Sequence, residues 1–586
     1  MAFQVSPGIN FTEKDLTTVV PNVSTNIGAF VGAFQWGPIS YRTTITTEND
    51  LVELFGKPTA STATHFWSAA NYLAYSNNLV VVGVKGTGYL NAAVGDGDAG
   101  TATAVDNSDH YDSLAATLAA GDSLFLAKYP GVRGNSLKAI AIDSNAWDNG
   151  TSSAENSDFL ANFESGPGTS ADVAAAGGSE DEMHILVYDE DGLFTGVPGE
   201  IVEKWGYVSK AIDAKKIDGS SNYVGDVLKN ESKYIYLGDV TELTVKSVAA
   251  GTAAGQPKAG ATFQTFDSAT AAESVPGGSL AGGTDGAAAG AGDLQAGWTY
   301  FNTAETSDVT LLIAGPGGTL ADTSVAGTVI GIAAGRKDCI AFVSPPQDKV
   351  VHAGVTSTQI VTNLKAAKTA MNASNSYGVM DSAWKYQYDR YRDVFFYCPM
   401  NGDMAGLCAR LDFTHDAWWS PAGMNRGAIK NIVKLSWEAT KADRDALYQA
   451  GINPLVTQTG AGVILWGDRT MKPTPTAFDR INVRRLFIVM RKAISNAAKS
   501  MLFEFNDEFT RSQFVNMVEP FLREIQGRRG ITDFKVVCDG SNNTGTVIDN
   551  NNFVGDIYVK PSRSINYIQL NFIAARTDVN FSEIGG

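Results

Sequence analysis

The sequence predicts an α+β multidomain protein, with a discontinuous α/β core domain, β-arms at both termini and β-rich outer domains inserted between the two halves of the core. Three observations carry this expectation. At 586 residues the chain exceeds the size at which a single hydrophobic core stops growing, so roughly three or four domains are expected. Strand–helix alternation of the α/β kind occupies residues 22–87 and returns over 300–470, with polar, glycine-rich sequence between. Both ends read as extended segments in which apolar and polar residues alternate.

The N-terminal segment, residues 1–21, alternates at Phe3 and Val5, turns at Pro7-Gly8, and alternates again at Ile9 and Phe11 before Pro21. The α/β pattern then begins. "IGAFVGAF" reads as a strand, "THFWSAANYLAYS" as a helix and "LVVVGV" as a strand buried on both faces. Residues 88–240 are rich in Asp, Asn, Ser and Gly, with strands expected at "SLKAIAI" and "EMHILVYDE" in a looser, β-rich unit. Residues 241–297 are dominated by Ala, Gly, Thr and Ser, as in "GGSLAGGTDGAAAGAGD". That composition predicts a surface loop or small β insertion rather than a packed helix. Strands return at "DVTLLIAGP" and "KDCIAFVSPP", and "STQIVTNLKAAKTAMN" reads as a helix. The economical arrangement is one α/β domain, 22–87 with 300–470, carrying 88–299 as an insertion at its surface.

Residues 471–586 form the last expected domain. Over 479–502, Val483, Leu486, Phe487, Met490, Ile494, Ala497 and Met501 fall within an arc of about 100° on a helix. Arg480, Arg484, Arg485, Arg491, Lys492 and Lys499 fall in a neighbouring arc of about 140°, with no acid among them, so one face is expected to be basic and open. A second helix is expected from an Asn506 cap to Gly530, kinked at Pro520. The chain ends on "SINYIQLNFIAARTDVNFSEIGG", where Ile568, Leu570 and Phe572, and then Val579 and Phe581, alternate as in a strand. Such a terminus offers unpaired backbone groups to another chain.

Composition narrows the function classes. The net charge of -17 is uneven: residues 421–586 hold 21 Lys and Arg against 16 Asp and Glu, and the rest 24 against 46. A global acid excess argues against direct nucleic-acid binding, while a local basic surface suits an acidic protein partner. Cys339, Cys398, Cys408 and Cys538 show no CxxC spacing and read as small apolar residues of a reducing compartment. The N-terminus lacks the regions of a signal peptide, and no apolar run approaches the roughly 18 residues of a membrane span, so a soluble cytoplasmic product without membrane insertion is expected.

Catalytic patterns are sparse. His65, His110, His184, His352 and His415 have neither HExxH nor paired-ligand spacing, so no metal is expected. "GGSLAG" around Ser279 misses the GxSxG elbow. In "TGAGVILWG", Gly460, Gly462 and Gly467 precede a strand instead of following one, which suits tight turning and not a phosphate cradle. "YDEDG" at 188–192 lacks the order of a calcium loop. No cofactor, catalytic or metal-binding residue is expected. An α/β enzyme would need a constellation of perturbed titratable groups that the sequence does not supply.

Several long blocks occur together and in order: "SPGINFTEKDLTTVVPNVSTNIGAFVGAFQWGP", "LVELFGKPT", "ARLDFTHDAWWSPAGMNRG", "INPLVTQTGAGVILWGDRTM" and "FDRINVRRLFIVMRKAI". In these the chain resembles the contractile tail sheath proteins of myovirus-type bacteriophages, over roughly 1–87 and 300–586; residues 88–299 match only loosely. The resemblance implies a structural virion protein, not an enzyme, assembled in the host cytoplasm into stacked rings or a helical array around the tail tube protein. Baseplate and tail terminator proteins are implied as further partners. It implies that the Arg480–Lys499 face is turned to the tube, and that the arms, with Phe3, Val5, Ile9 and Phe11 at one end and Val579 and Phe581 at the other, pair with neighbouring subunits. Ile568, Leu570 and Phe572 would then belong to the subunit's own sheet, with the border near Arg576. The sheath of a headless contractile injection system shares these mechanics; the chain's length and large middle insertion favour a phage virion.

Overall fold

The computed structural model describes residues 24–95, 100–114, 118, 123–149, 158–239, 252, 254–265, 277–316, 323–352, 354–566 and 569. The expected N-terminal arm residues Phe3, Val5, Ile9 and Phe11 lie outside the described residues, as do Ile568, Leu570, Phe572, Val579 and Phe581.

The chain is a mixture of helices and several sheets. The largest sheet has six strands, drawn from two distant stretches of sequence. We label them β1 (Gly28–Ala33), β2 (Arg42–Ile45), β3 (Leu79–Val84), β4 (Leu311–Ile313), β5 (Ile340–Val343) and β6 (Gly378–Met380). Their order is β6-β5-β4-β1-β3-β2, parallel throughout except where β2 runs antiparallel along β3.

Successive side chains on these strands point to opposite faces, and both faces are covered. Phe30, Val81, Leu311, Ile313, Ile340 and Phe342 pack on one side against helices α1 (Ala63–Leu73) and α2 (Asn401–Thr414). Ala29, Val31, Val82, Leu312, Ala341 and Val343 pack on the other, against the helices Ser324–Arg336 and Ser357–Ala370. Each fully buried Phe or Val contributes about 1.5–3 kcal/mol by leaving water, which is why the strands read as unbroken apolar runs.

One expectation fails on this second face. Within 241–297, Ala291–Trp298 is a helix and not a surface loop; Trp298 is fully buried, and Phe301 of the following turn joins it in the same core. The small residues that resembled a linker have a packing reason. A Cβ at Gly297 would lie 2.5 Å from Val31 Cγ1 and 2.7 Å from Val84 Cγ1, so glycine lets the helix lie flush on the sheet. Upstream, Gly277–Ser279 pairs antiparallel with Leu137–Asp143.

Residues between the two halves of the main sheet contain a four-stranded antiparallel sheet ordered Gly277–Ser279, Leu137–Asp143, Glu182–Asp189, Glu200–Ser209. Its inner residues Ala139, Ile140, Ile142, Ile185 and Val187 are almost wholly buried, a closed core that the polar composition had concealed. At 188–192 the acidic run ends the strand at Asp189 and then bends, and Asp189 accepts from Phe194 and Thr195 backbone N–H and from Ser136 and Thr195 hydroxyls.

In the last part, α3 (Ile481–Ala498) and α4 (Glu508–Gly527) pack together with the hairpin Ile531–Val537/Asp556–Pro561, which the sequence reading had not marked. The cap of α4 is Asp507, accepting from Thr510 N at 2.8 Å, and not the expected Asn506. Asn506 instead donates to Asn552 O at 2.8 Å, fastening the loop before the helix. Pro520 lies inside the helix. The turn Gly460–Gly462 uses left-handed backbone at both glycines, φ 85° and 74°, to join Leu455–Gln458 to Gly462–Leu465.

Candidate functional site

The expected apolar side of α3 is met residue by residue. Val483, Leu486, Met490 and Ala497 are buried, and Phe487, Ile494 and Met501 pack partly buried against the same core. The expected open basic face is not. Several separate stretches of chain fold over four of the six cations, because an arc of about 140° is wide enough to be partly covered by neighbours.

Arg485 is 3% exposed and forms a two-pronged ion pair with Asp412 of α2, at 2.7 and 2.8 Å. Its other terminal nitrogen donates to the carbonyls of Cys408 and Ala417. Burial works against the charge, yet the Asp412 carboxylate outweighs it and holds the guanidinium above its ordinary value. Arg484 is also buried. It donates to Tyr377 OH at 3.2 Å and to Ser376 Oγ, and lies over the rings of Tyr377 and Phe478 at 4.2 and 4.1 Å. Burial pulls this arginine below its ordinary value. Arg480 precedes the first turn, where the helix dipole disfavours a cation, and is compensated by Asp468 at 2.9 Å and by the Tyr448 hydroxyl. Lys492 donates to Ser24 O at 2.8 Å and pairs with Asp308.

Arg491 and Lys499 remain. Both are exposed; Arg491 stands with Ser495 at i and i+4 on one stripe of α3, and Lys499 opens the turn that follows it. Among the described residues neither has an ion-pair partner.

Three of the covered cations, Arg480, Arg485 and Lys492, lie against the two places where the described chain begins and approaches its end. At the start, Thr25 Oγ1 donates to Asp412 Oδ2 at 2.6 Å, and Thr310 Oγ1 donates to Thr25 O at 2.7 Å. Near the end, Asp468 Oδ2 accepts from Ser564 Oγ at 2.8 Å and from Ser420 Oγ at 3.0 Å, while Oδ1 accepts from Tyr448 OH at 3.1 Å. The Asn566 amide, with its oxygen toward Arg480 and Tyr448, completes this cluster. Beside it opens a cleft of about 740 Å³ whose walls include Trp418, Trp466, Asn482 and Ile565.

The partners Thr25, Asp308, Asp412, Tyr448, Asp468, Ser564 and Asn566 were missed by the sequence reading. One signal was present: Asp412 follows Leu407, Cys408, Ala409 and Leu411 on a helix with a buried face, where a carboxylate requires a partner. Nothing local identified Arg485, 73 residues on, as that partner. The four thiols are free and buried, and among the described residues no group of His, Cys, Asp or Glu could hold a metal ion. No described helix is long and apolar enough to cross a membrane.

Three family models match the chain: the phage tail sheath protein central domain over 287–471, the phage tail sheath C-terminal domain over 474–575, and the N-terminal region of tail sheath protein Gp18 domain III over 27–84. The chain is 34% identical to the tail sheath protein of Enterobacteria phage T4, with 99% of each chain covered. It is 33% identical to that of Vibrio phage KVP40, covering 99% of this chain and all of the other. Among solved structures, the sheath tail protein of Listeria innocua aligns at a TM-score of 0.51 and 12% identity, over 92% of this chain and 96% of that one. That of Desulfitobacterium hafniense aligns at 0.50 and 12%, over 91% and 94%. At such identities the structural likeness speaks for the fold alone.

Proposed function

The chain belongs to the phage tail sheath protein family, and we infer from that membership that it polymerises around a tail tube as a contractile sheath. The passage from an extended to a contracted array then drives the tube through the host envelope for genome delivery. The observation that carries this reading is the extent of the likeness, which runs through 99% of the chain and the whole of a phage relative. The same extent favours a virion over a headless injection system.

Physically, the work comes from the difference between two packings of the same subunits, a bistable assembly that needs no nucleotide. A contact that repeats head to tail without closing builds a tubular array. Strand addition by the terminal arms, with Phe3, Val5, Ile9, Phe11, Val579 and Phe581 setting register, links each subunit to its neighbours and keeps the array continuous as subunits slide. Residues 22–87 with 300–470, joined by the helix Ala291–Trp298 that packs on their sheet, form the middle domain, the remainder of 88–299 the outer insertion, and 471–586 the tube-facing domain, whose own sheet includes Ile568, Leu570 and Phe572. The role is structural. The partners are further copies of the chain, the tail tube protein, and baseplate and tail terminator proteins; assembly takes place in the host cytoplasm, without direct nucleic-acid contact.

The tube contact is narrower than the wheel suggested. Because Arg480, Arg484, Arg485 and Lys492 have partners inside the subunit, the free attraction for an acidic tube comes from Arg491 and Lys499. Exposed pairs of this kind are screened by salt and contribute little each, which suits a contact that must register subunits and then let go.

Negative-stain microscopy of the purified full-length protein tests the function. Striated tubes are expected, and dispersed monomers under all conditions would overturn the reading. Removing residues 1–20 or 577–586 should leave folded monomers that do not polymerise. Polymers of normal length from both deletions would contradict the role of the arms.

A further inference from the structure

We propose that α3 is the bar that positions the chain leading to both terminal arms, holding Ser24–Thr25 and Ser564–Asn566 through two carboxylates, Asp412 and Asp468. This inference rests on the sheath reading above for what the arms do. It rests on the structure for what holds them.

The N-terminal root, Ser24–Thr25, is held at two points of α3. Lys492 donates directly to Ser24 O, and Arg485 fixes Asp412, which accepts from the Thr25 hydroxyl. The stretch Ser564–Asn566, on the approach to the C-terminal arm, is held at the other end of the same helix. Arg480 fixes Asp468, which accepts from Ser564 Oγ, and the Asn566 amide lies against Arg480 and Tyr448. Arg480 and Lys492 are twelve residues apart, about 18 Å along a helix axis at 1.5 Å per residue.

Three features make this more than incidental surface contact. Arg485 and Asp412 are almost wholly buried, so the carboxylate that meets Thr25 is fixed in direction before the arm touches it. Asp468 is itself buried and accepts from groups on four separate stretches of chain, Ser420, Tyr448, Arg480 and Ser564, so it cannot turn away. Each stretch is also held at two points: Ser24 by Lys492 directly and Thr25 through Asp412, Ser564 through Asp468 and Asn566 against Arg480 and Tyr448. A helix is stiff over this length, so a load on one arm is transmitted to the other without the subunit stretching. In an array that must stay connected while its subunits slide, the spacing between the two links is then a constant of the subunit.

The test alters only the arm side of each tether, because removing Asp412 or Asp468 would strand a buried arginine and could unfold the domain. Three variants of the full-length protein are compared: Thr25→Val, Ser564→Ala with Asn566→Ala, and all three changes together. Each lost tether removes one or two hydrogen bonds, which should lower polymer yield about tenfold, and the combined variant more, with melting temperature unchanged. The conservative Thr25→Ser and Ser564→Thr retain the hydroxyls and should assemble as the unaltered chain does. Normal tube yield and length from the combined variant would overturn the proposal, as would a lowered melting temperature in step with lost assembly. If the unaltered chain forms no tubes, the sheath reading itself fails. If the arm deletions abolish tubes and the combined variant does not, only the tether proposal fails.

Discussion

At the scale of single residues, the cations of α3 show how far identity and spacing reach. The wheel gave the positions of Arg484 and Arg485 but not their surroundings, since a helix carries no record of what packs against it. Breaking the Arg485–Asp412 pair from one side leaves an uncompensated buried charge. Asp412→Asn should therefore destabilise by about 3–5 kcal/mol, measured as a lower midpoint in urea unfolding of the full-length chain. By contrast, Arg491→Glu with Lys499→Glu should leave the melting temperature unchanged and impair assembly around tubes; normal extended tails from that variant would remove α3 from the tube contact. Asp381 offers a pH test. It is fully buried, one oxygen accepts from Ser344 Oγ, the other has no hydrogen-bond partner, and burial pushes its carboxyl well above the usual range. A carboxyl raised in the folded state binds its proton more tightly there. Its contribution to stability is thus full below the ordinary carboxylate range and is lost as pH rises through the raised value. Asp381→Asn should raise the melting temperature at pH 8 by about 2 °C or more, with the difference closing toward pH 4; an unchanged difference across that range would refute the assignment.

At the scale of elements, legibility followed the source of the signal. β1, β3 and α3 were readable because their periodicity is long and their burial is of one kind. The Ala291–Trp298 helix was not, because its helix-forming cause is the face of the sheet it rests on, and small residues there look like a linker. The Asp507 cap was missed by one residue, since Asn506 and Asp507 are both good caps and only the tertiary contact to Asn552 decides between them. The crossing of α1 and α2 depends on the same kind of close approach. A Cβ at Gly402 would stand 2.2 Å from the Ser68 carbonyl oxygen. Gly402→Ala gains about 1 kcal/mol of helix propensity and should still lose net stability, because a clash with backbone costs about 1–3 kcal/mol or more. A melting temperature at or above that of the unaltered chain would show that the two helices can move apart.

At the scale of the whole molecule, the sequence by itself determined the class of protein, a mixed helix and sheet chain of the tail sheath family, because ordered blocks of sequence and alternation of apolar residues survive without any knowledge of packing. Only the tertiary structure decided which cations of α3 are free. It also decided that β4, β5 and β6 lie beside β1, and that Ser24–Thr25 and Ser564–Asn566 are fastened to one helix. The physical reason is range. Periodicity and capping act over a few residues, whereas Thr25 meets Asp412 across 387 positions and Ser564 meets Asp468 across 96, pairings that exist only once the sheet has brought those stretches together.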